Sequence, residues 1–154
     1  MCWVKEMADV SFTNLLTNSW DNLYALLQTG TYALTTNNIY GFWNDKLAKN
    51  VTLPIVVIRK PLVSVTRRTI ASGVRQAELS FLIGVYHTTD ANCKAVMDEV
   101  MSALTNQDAL NVFAGNQMYV DDKEYITPGD TRIFSTNKKK IHVTEVNVNF
   151  VFGD

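Results

Sequence analysis

The sequence predicts an α+β domain: a mainly antiparallel sheet of about four to five strands, two helices packed on one face, and an extended arm between the first two strands. Three observations carry this prediction. From Ala77 the residues alternate, with Ala77, Leu79, Phe81, Ile83 and Val85 on one face and Glu78, Ser80, Gly84 and Tyr86 on the other, where Leu82 is the apolar intruder. This strand passes directly into Asp90–Leu104, whose apolar residues fall at helical spacing. The chain then closes on a second strong strand, in which Ile141 and Val143, then Val146, Val148, Phe150 and Phe152, mark the apolar positions.

The elements follow in order. A first helix is predicted over residues 9–28, with Phe12, Leu15, Leu16, Leu23, Leu26 and Leu27 on one stripe, Asp9 or Ser11 as its cap, and Trp20 at the stripe's edge. Gly30 stands where a left-handed C-terminal cap is wanted. Residues 31–50 follow neither period: Thr35–Asn38 reads as a turn, Ile39–Trp43 as a connector laid over the core, and Asp45–Ala48 as a helical turn. Residues 53–59 form a β-branched strand covered on both faces, and Pro54 is tolerated at its start because the first residue need not donate to the ladder.

Residues 60–73 are expected to form the arm or a long hairpin tip. Pro61 interrupts, Leu62, Ser64 and Thr66 alternate with Val63 and Val65, and Arg67-Arg68 and Gly73 follow. Thr88-Thr89-Asp90 caps the second helix, whose stripe of Val96, Val100, Ala103 and Leu104 is widened by Met97 and Met101, while Lys94, Asp98 and Glu99 face water. Residues 105–139 read as polar and broken, with a short strand at Gln117–Val120, a turn at Thr127–Asp130 and an edge strand at Arg132–Phe134. The change of apolar phase near Thr144-Glu145 predicts a bulge in the closing strand.

Size and composition bound the function. At 154 residues the chain reads as one domain over 1–154, long enough to bury roughly 70% of its unfolded surface. Lys+Arg 14 against Asp+Glu 15 gives net −1, which argues against a dedicated nucleic-acid binder and does little to oppose self-association. No apolar run reaches the roughly 18 residues of a membrane span, and the first residues do not read as a signal peptide. Cys2 and Cys93 lie far apart and are expected to be reduced thiols of a cytosolic setting.

The residues offer little chemistry. His87 and His142 lack a second His or Cys at ligand spacing. Cys93 falls mid-helix near the buried stripe, where it packs as a small hydrophobe. Neither a nucleophile elbow nor a glycine-rich phosphate cradle occurs, and Asp121, Asp122 and Glu124 read as a solvated loop. No catalytic, cofactor-binding or metal-binding residue is assigned, and no cofactor is expected. Two basic groups remain. Arg67 and Arg68, flanked by Val63, Val65 and Ile70, are either solvated or edge-protecting or suit contact with a partner or with phosphate. Lys138, Lys139 and Lys140 read as solvated or as protecting a strand edge.

The order of elements resembles the tail terminators of long-tailed bacteriophages, the lambda-type minor tail protein family. The resemblance rests on a leading helix, the strand Leu53–Ile58, an arm, the strand Gln76–Tyr86, a helix and the closing strand Val146–Phe152; its sharpest residues are Pro54–Val57 and Gln76–Leu79. It covers most of the chain but not residues 105–139. It implies a structural virion protein, not an enzyme. Such proteins assemble into a ring, a hexamer in this family, that caps the tail tube, ends its polymerisation and provides the head–tail joining surface. The implied partners are other copies of the chain, the tube protein, a head-completion or connector protein, and DNA that passes through the ring without sequence recognition. On that reading Val63, Val65, Arg67, Arg68 and Ile70 belong to the interface, and Arg67, Arg68, Lys138, Lys139 and Lys140 are candidates to face the lumen. Another ring protein of the phage neck, or a cellular α+β interaction module, would share these features.

Overall fold

The computed structural model describes residues 9–11, 13–29, 39–41, 54–59, 61–67, 75–121, 123–136 and 139–153. Its elements run α1 (Leu15–Thr29), β1 (Ile39–Tyr40), β2 (Ile55–Ile58), β3 (Leu62–Arg67), β4 (Arg75–His87), α2 (Asp90–Thr105), α3 (Gln107–Gly115), β5 (Tyr119–Val120), β6 (Ile126–Thr136) and β7 (Lys139–Gly153). The fold is α+β, with an open mixed sheet of seven strands and three helices among the described residues. That is more than the four to five strands and two helices expected. The additional elements are β1, read as a connector, β3, read as part of an arm, and a third helix in the stretch read as broken. β2 and β3 both pair with β4, and β5 and β6 both pair with β7, so the sheet is five columns wide. All pairs are antiparallel except β1 with β2.

β4 and β7 form the spine, in unbroken register from Gln76↔Gly153 to His87↔His142. The predicted alternation of β4 holds: Ala77, Leu79, Phe81, Ile83 and Val85 are all buried. Directly opposite lie Phe152, Phe150, Val148 and Val146, and Val56 and Ile58 of β2 extend the same layer. Leu23 and Leu27 of α1, Met97, Val100 and Leu104 of α2, and Phe113 of α3 cover it. Phe150 is central, with edge-to-face contacts to Phe81, Phe113 and Tyr125 at centroid distances of 5.9, 5.1 and 5.7 Å.

Helix boundaries follow capping groups. α2 starts as predicted: Thr89 accepts the Asn92 amide at 3.2 Å. Asn106 then ends α2 and caps α3, its side chain accepting the Asp108 amide at 2.9 Å. The stretch read as broken from residue 105 therefore holds a third helix. Its sequence signal was present in Asn106 and the Ala109/Phe113 pair, four residues apart and both buried. α1 begins at Leu15, later than the predicted residue 9. Asn14 takes the Ser11 amide on its Oδ1 at 2.7 Å, and the side chains of Asn14 and Asn18 donate to the Asp9 carbonyl, which holds residues 9–14 in a turn. Trp20 donates to the Ile58 carbonyl at 2.7 Å and stacks on Tyr24, tying α1 to β2. The expected Gly30 cap, the turn at 35–38 and the helical turn at 45–48 lie outside the described residues; Ile39 and Tyr40 form the short strand β1 rather than a connector.

Two expectations about β7 and its neighbour are corrected. The closing strand contains no bulge. Its apolar residues change phase because it is buried on different faces at its two ends: Val146–Phe152 face the helices, whereas Ile141 and Val143 join Ile55, Val57 and Tyr86 in a second cluster on the opposite face. Tyr86, assigned to a polar face, is buried there. The bulge lies in β6, between Pro128↔Val146 and Thr131↔Thr144, so the predicted turn at Thr127–Asp130 is a kink within one long strand. Gly129 is required at that kink, because a Cβ there would stand 2.8 Å from the Glu145 carbonyl oxygen. Glu145, 5% exposed, pairs with Arg132 across the same pair of strands.

Candidate assembly surface

The described part of the predicted arm is not an arm, and residues 68–73 of it lie outside the described residues. Leu62–Arg67 is a strand of the sheet, in continuous register with Ser80–Arg75 of β4. The register slips by one residue between Ile58↔Ile83 and Leu62↔Ser80, so three residues of one strand face two of β4. Arg59 still donates to the Leu82 carbonyl at 3.0 Å, and buried Pro61, which has no N–H to offer the ladder, occupies the slip. The chain thus runs from β2 to β3 along β4 with a jog rather than leaving the sheet.

β1 covers the outer edge of β2 only. Among the described residues no strand pairs with the outer edge of β3. That edge lacks the usual protection: it has no proline, no bulge, and no charged residue before Arg67. Three of its side chains are apolar and exposed, Leu62 at 79%, Val65 at 51% and Val63 somewhat less. Clefts flank it. One of about 610 Å³ lies between Thr13–Thr17 and Pro61–Val63, with half-exposed Leu16 on its wall. Another of about 300 Å³ runs between Leu62–Ser64 and Glu78–Ser80, with Asp121, Glu124 and Asn149 beyond. An edge with open backbone groups and side-chain clefts beside it is suited to receive an extended segment.

Among the described residues β6 presents a second edge without a strand partner. Its first half carries Pro128 and the Gly129–Asp130 bulge, which discourage pairing, but Thr131–Thr136 is regular and includes Ile133 at 53% exposure. The two edges lie towards opposite ends of the strands, because β3 accompanies the start of β4 whereas Thr131–Thr136 accompanies the start of β7.

The predicted site residues are thereby sorted. Val63 and Val65 stand on the exposed edge, on the helix-facing side, opposite Leu79 and Ala77. Arg67 is the last residue of β3 and its register partner is Arg75. Arg68, Ile70 and Lys138 lie outside the described residues. Lys139 pairs with Thr136 and Lys140 is exposed at the start of β7. The basic groups at Arg67 and Lys140 are not brought together: they occupy opposite ends of the β4–β7 spine, roughly 45 Å apart at about 3.3 Å per residue.

His87 and His142, distant in sequence, are register partners on β4 and β7. His87 accepts the Thr88 amide on Nδ1 at 2.8 Å, and partial burial lowers its pKa. Cys93 is buried as expected; its thiol donates to the His142 carbonyl at 3.0 Å, and burial pushes its pKa up to about 11. Among the described residues no group of three or more His, Cys, Asp or Glu side chains is arranged to hold a metal ion, and no helix is long and apolar enough to cross a membrane.

No protein-family model matches the chain, and a search of curated proteins finds no match.

Proposed function

We propose that this chain is a structural subunit of a phage particle, a ring-forming tail terminator that caps the tail tube, ends its polymerisation and offers the surface to which the head is joined. Its partners on this reading are further copies of itself in a ring, the tube protein, a head-completion or connector protein, and DNA in transit, with assembly in the host cytoplasm and a final place in the virion's tail or neck. The observation that carries the reading is the unprotected apolar edge of β3 beside the α1 cleft, a surface suited to a protein partner. The sequence resemblance in element order supports the particular assembly.

The test is to add the purified chain to polymerising tail tubes and follow tube length by electron microscopy, with light scattering on the chain alone. Arrest of elongation with a ring at the tube end is expected. Tubes that lengthen unchanged, with a chain that stays monomeric both alone and with tubes, would refute the reading. Within it, Arg67→Glu combined with Arg68→Glu should shift unfolding by under about 0.5 kcal/mol yet reduce ring assembly. Normal assembly by that double variant would remove both arginines from the interface.

A further inference from the structure

We infer that successive copies of the chain join by strand addition, the outer edge of β3 in one copy pairing antiparallel with Thr131–Thr136 of β6 in the next. The inference rests on the ring reading above and specifies the contact from which the ring would be made.

The topology supplies the first argument. From β3 through β4 and β7 to β6 there are three antiparallel steps, so β3 and β6 run in opposite directions within one subunit. A neighbour moved sideways without being turned over therefore presents its β6 antiparallel to β3, with its helices on the same side of the sheet. That is a head-to-tail contact, which leaves one edge open at each step and closes only as a ring. A two-fold contact of β3 with β3 would use up the edge in a dimer and leave both β6 edges exposed.

Side-chain placement supplies the second. Val65 faces the helix side of the sheet through its partner Ala77, and Ile133 faces the same side through His142. Setting Val65 opposite Ile133 makes the two half-exposed apolar residues neighbours on one face. The same register sets Arg67 opposite Thr131 at the end of the ladder. Because the two edges lie at opposite ends of the strands, each copy also steps along the strand direction. The joined strands then run oblique to the axis of the ring, as strands in closed sheets do.

Cysteine cross-linking tests the pairing. Directly opposed residues of an antiparallel pair have Cα atoms about 4.5–5.5 Å apart, within the range a disulfide spans. Val65→Cys and Ile133→Cys are made separately in a Cys2→Ser background, checked for unchanged thermal unfolding, and oxidised alone and as an equimolar mixture, with tail tubes present if the chain is monomeric without them. A disulfide-linked dimer in the mixture and in neither single sample is expected, together with a ladder of linked species from the double variant. Cross-linking of the Val65→Cys protein with itself would show a two-fold contact and overturn the inference. So would a ring, seen by light scattering or microscopy, that forms without the mixed disulfide; the ring reading would survive that result. Absence of any assembly, with or without tubes, would overturn both.

Discussion

Phe150→Ala should be among the most damaging single substitutions in the chain. The ring is 1% exposed, lies directly opposite Leu79, and makes edge-to-face contacts with Phe81, Phe113 and Tyr125. Truncating a buried phenylalanine costs roughly 3–5 kcal/mol, from lost transfer energy and the cavity left behind. Here the upper half of that range applies. The cavity walls are the sheet and α3, which cannot collapse without breaking other contacts, and each aromatic pair contributes about 0.5–1.5 kcal/mol beyond area burial. A loss near 4 kcal/mol is a large share of the 5–15 kcal/mol typical of a whole domain. At roughly 2–4 °C per kcal/mol for chains of this size it corresponds to a melting point lower by about 8–16 °C. Urea unfolding followed by far-ultraviolet circular dichroism measures it, with the denaturant slope expected to stay constant. Val151→Ala, on the opposite face of the same strand and half-buried, is the control and should cost about 1 kcal/mol. If the two variants lose similar stability, or Phe150→Ala loses under about 1.5 kcal/mol, the assignment of the β7 faces is wrong.

Two glycines make a second contrast. Gly129→Ala should destabilise by roughly 1–3 kcal/mol, because its Cβ meets the Glu145 backbone, whereas Gly115→Ala, with nothing within 4 Å at the end of α3, should be neutral or stabilise by about 0.5 kcal/mol; chemical denaturation of both variants is the check. For Cys93, native-state alkylation mapped by mass spectrometry should find the thiol unmodified at pH 8 and modified after denaturation. Its pKa is raised from 9.0 to about 11 on folding, so between those values the unfolded chain releases a proton that the folded chain keeps. Its contribution to stability is thus full below pH 9 and lost as pH rises towards 11, a slope that Cys93→Ala should reduce in urea midpoints measured against pH.

Apolar period is enough to specify the elements that bury a single face. β4 has five alternating buried positions and α2 a helical stripe with a Thr89 cap, so pattern and local hydrogen bonding agree, and both appear within a residue or two of their expected bounds. The same held for the character of Cys93, since a small residue on an apolar stripe packs whatever lies across from it. The candidate surface was half legible. Alternation from Leu62 to Thr66 showed extended chain with exposed apolar residues, but not whether that chain left the sheet or lined its edge.

Other features depend on which strands and helices lie alongside. β1 and β5 are two residues long and exist because β2 and β7 offer ladders to them. The phase change in β7 is invisible as a two-faced burial until Tyr86, Ile55 and Val57 are seen on the far side. β1 stops at Tyr40, and among the described residues no strand pairs with the outer side of β3. Periodicity records which side of a strand is apolar; it carries no record of which strand stands beside it, and an edge is defined by the strand that is not there.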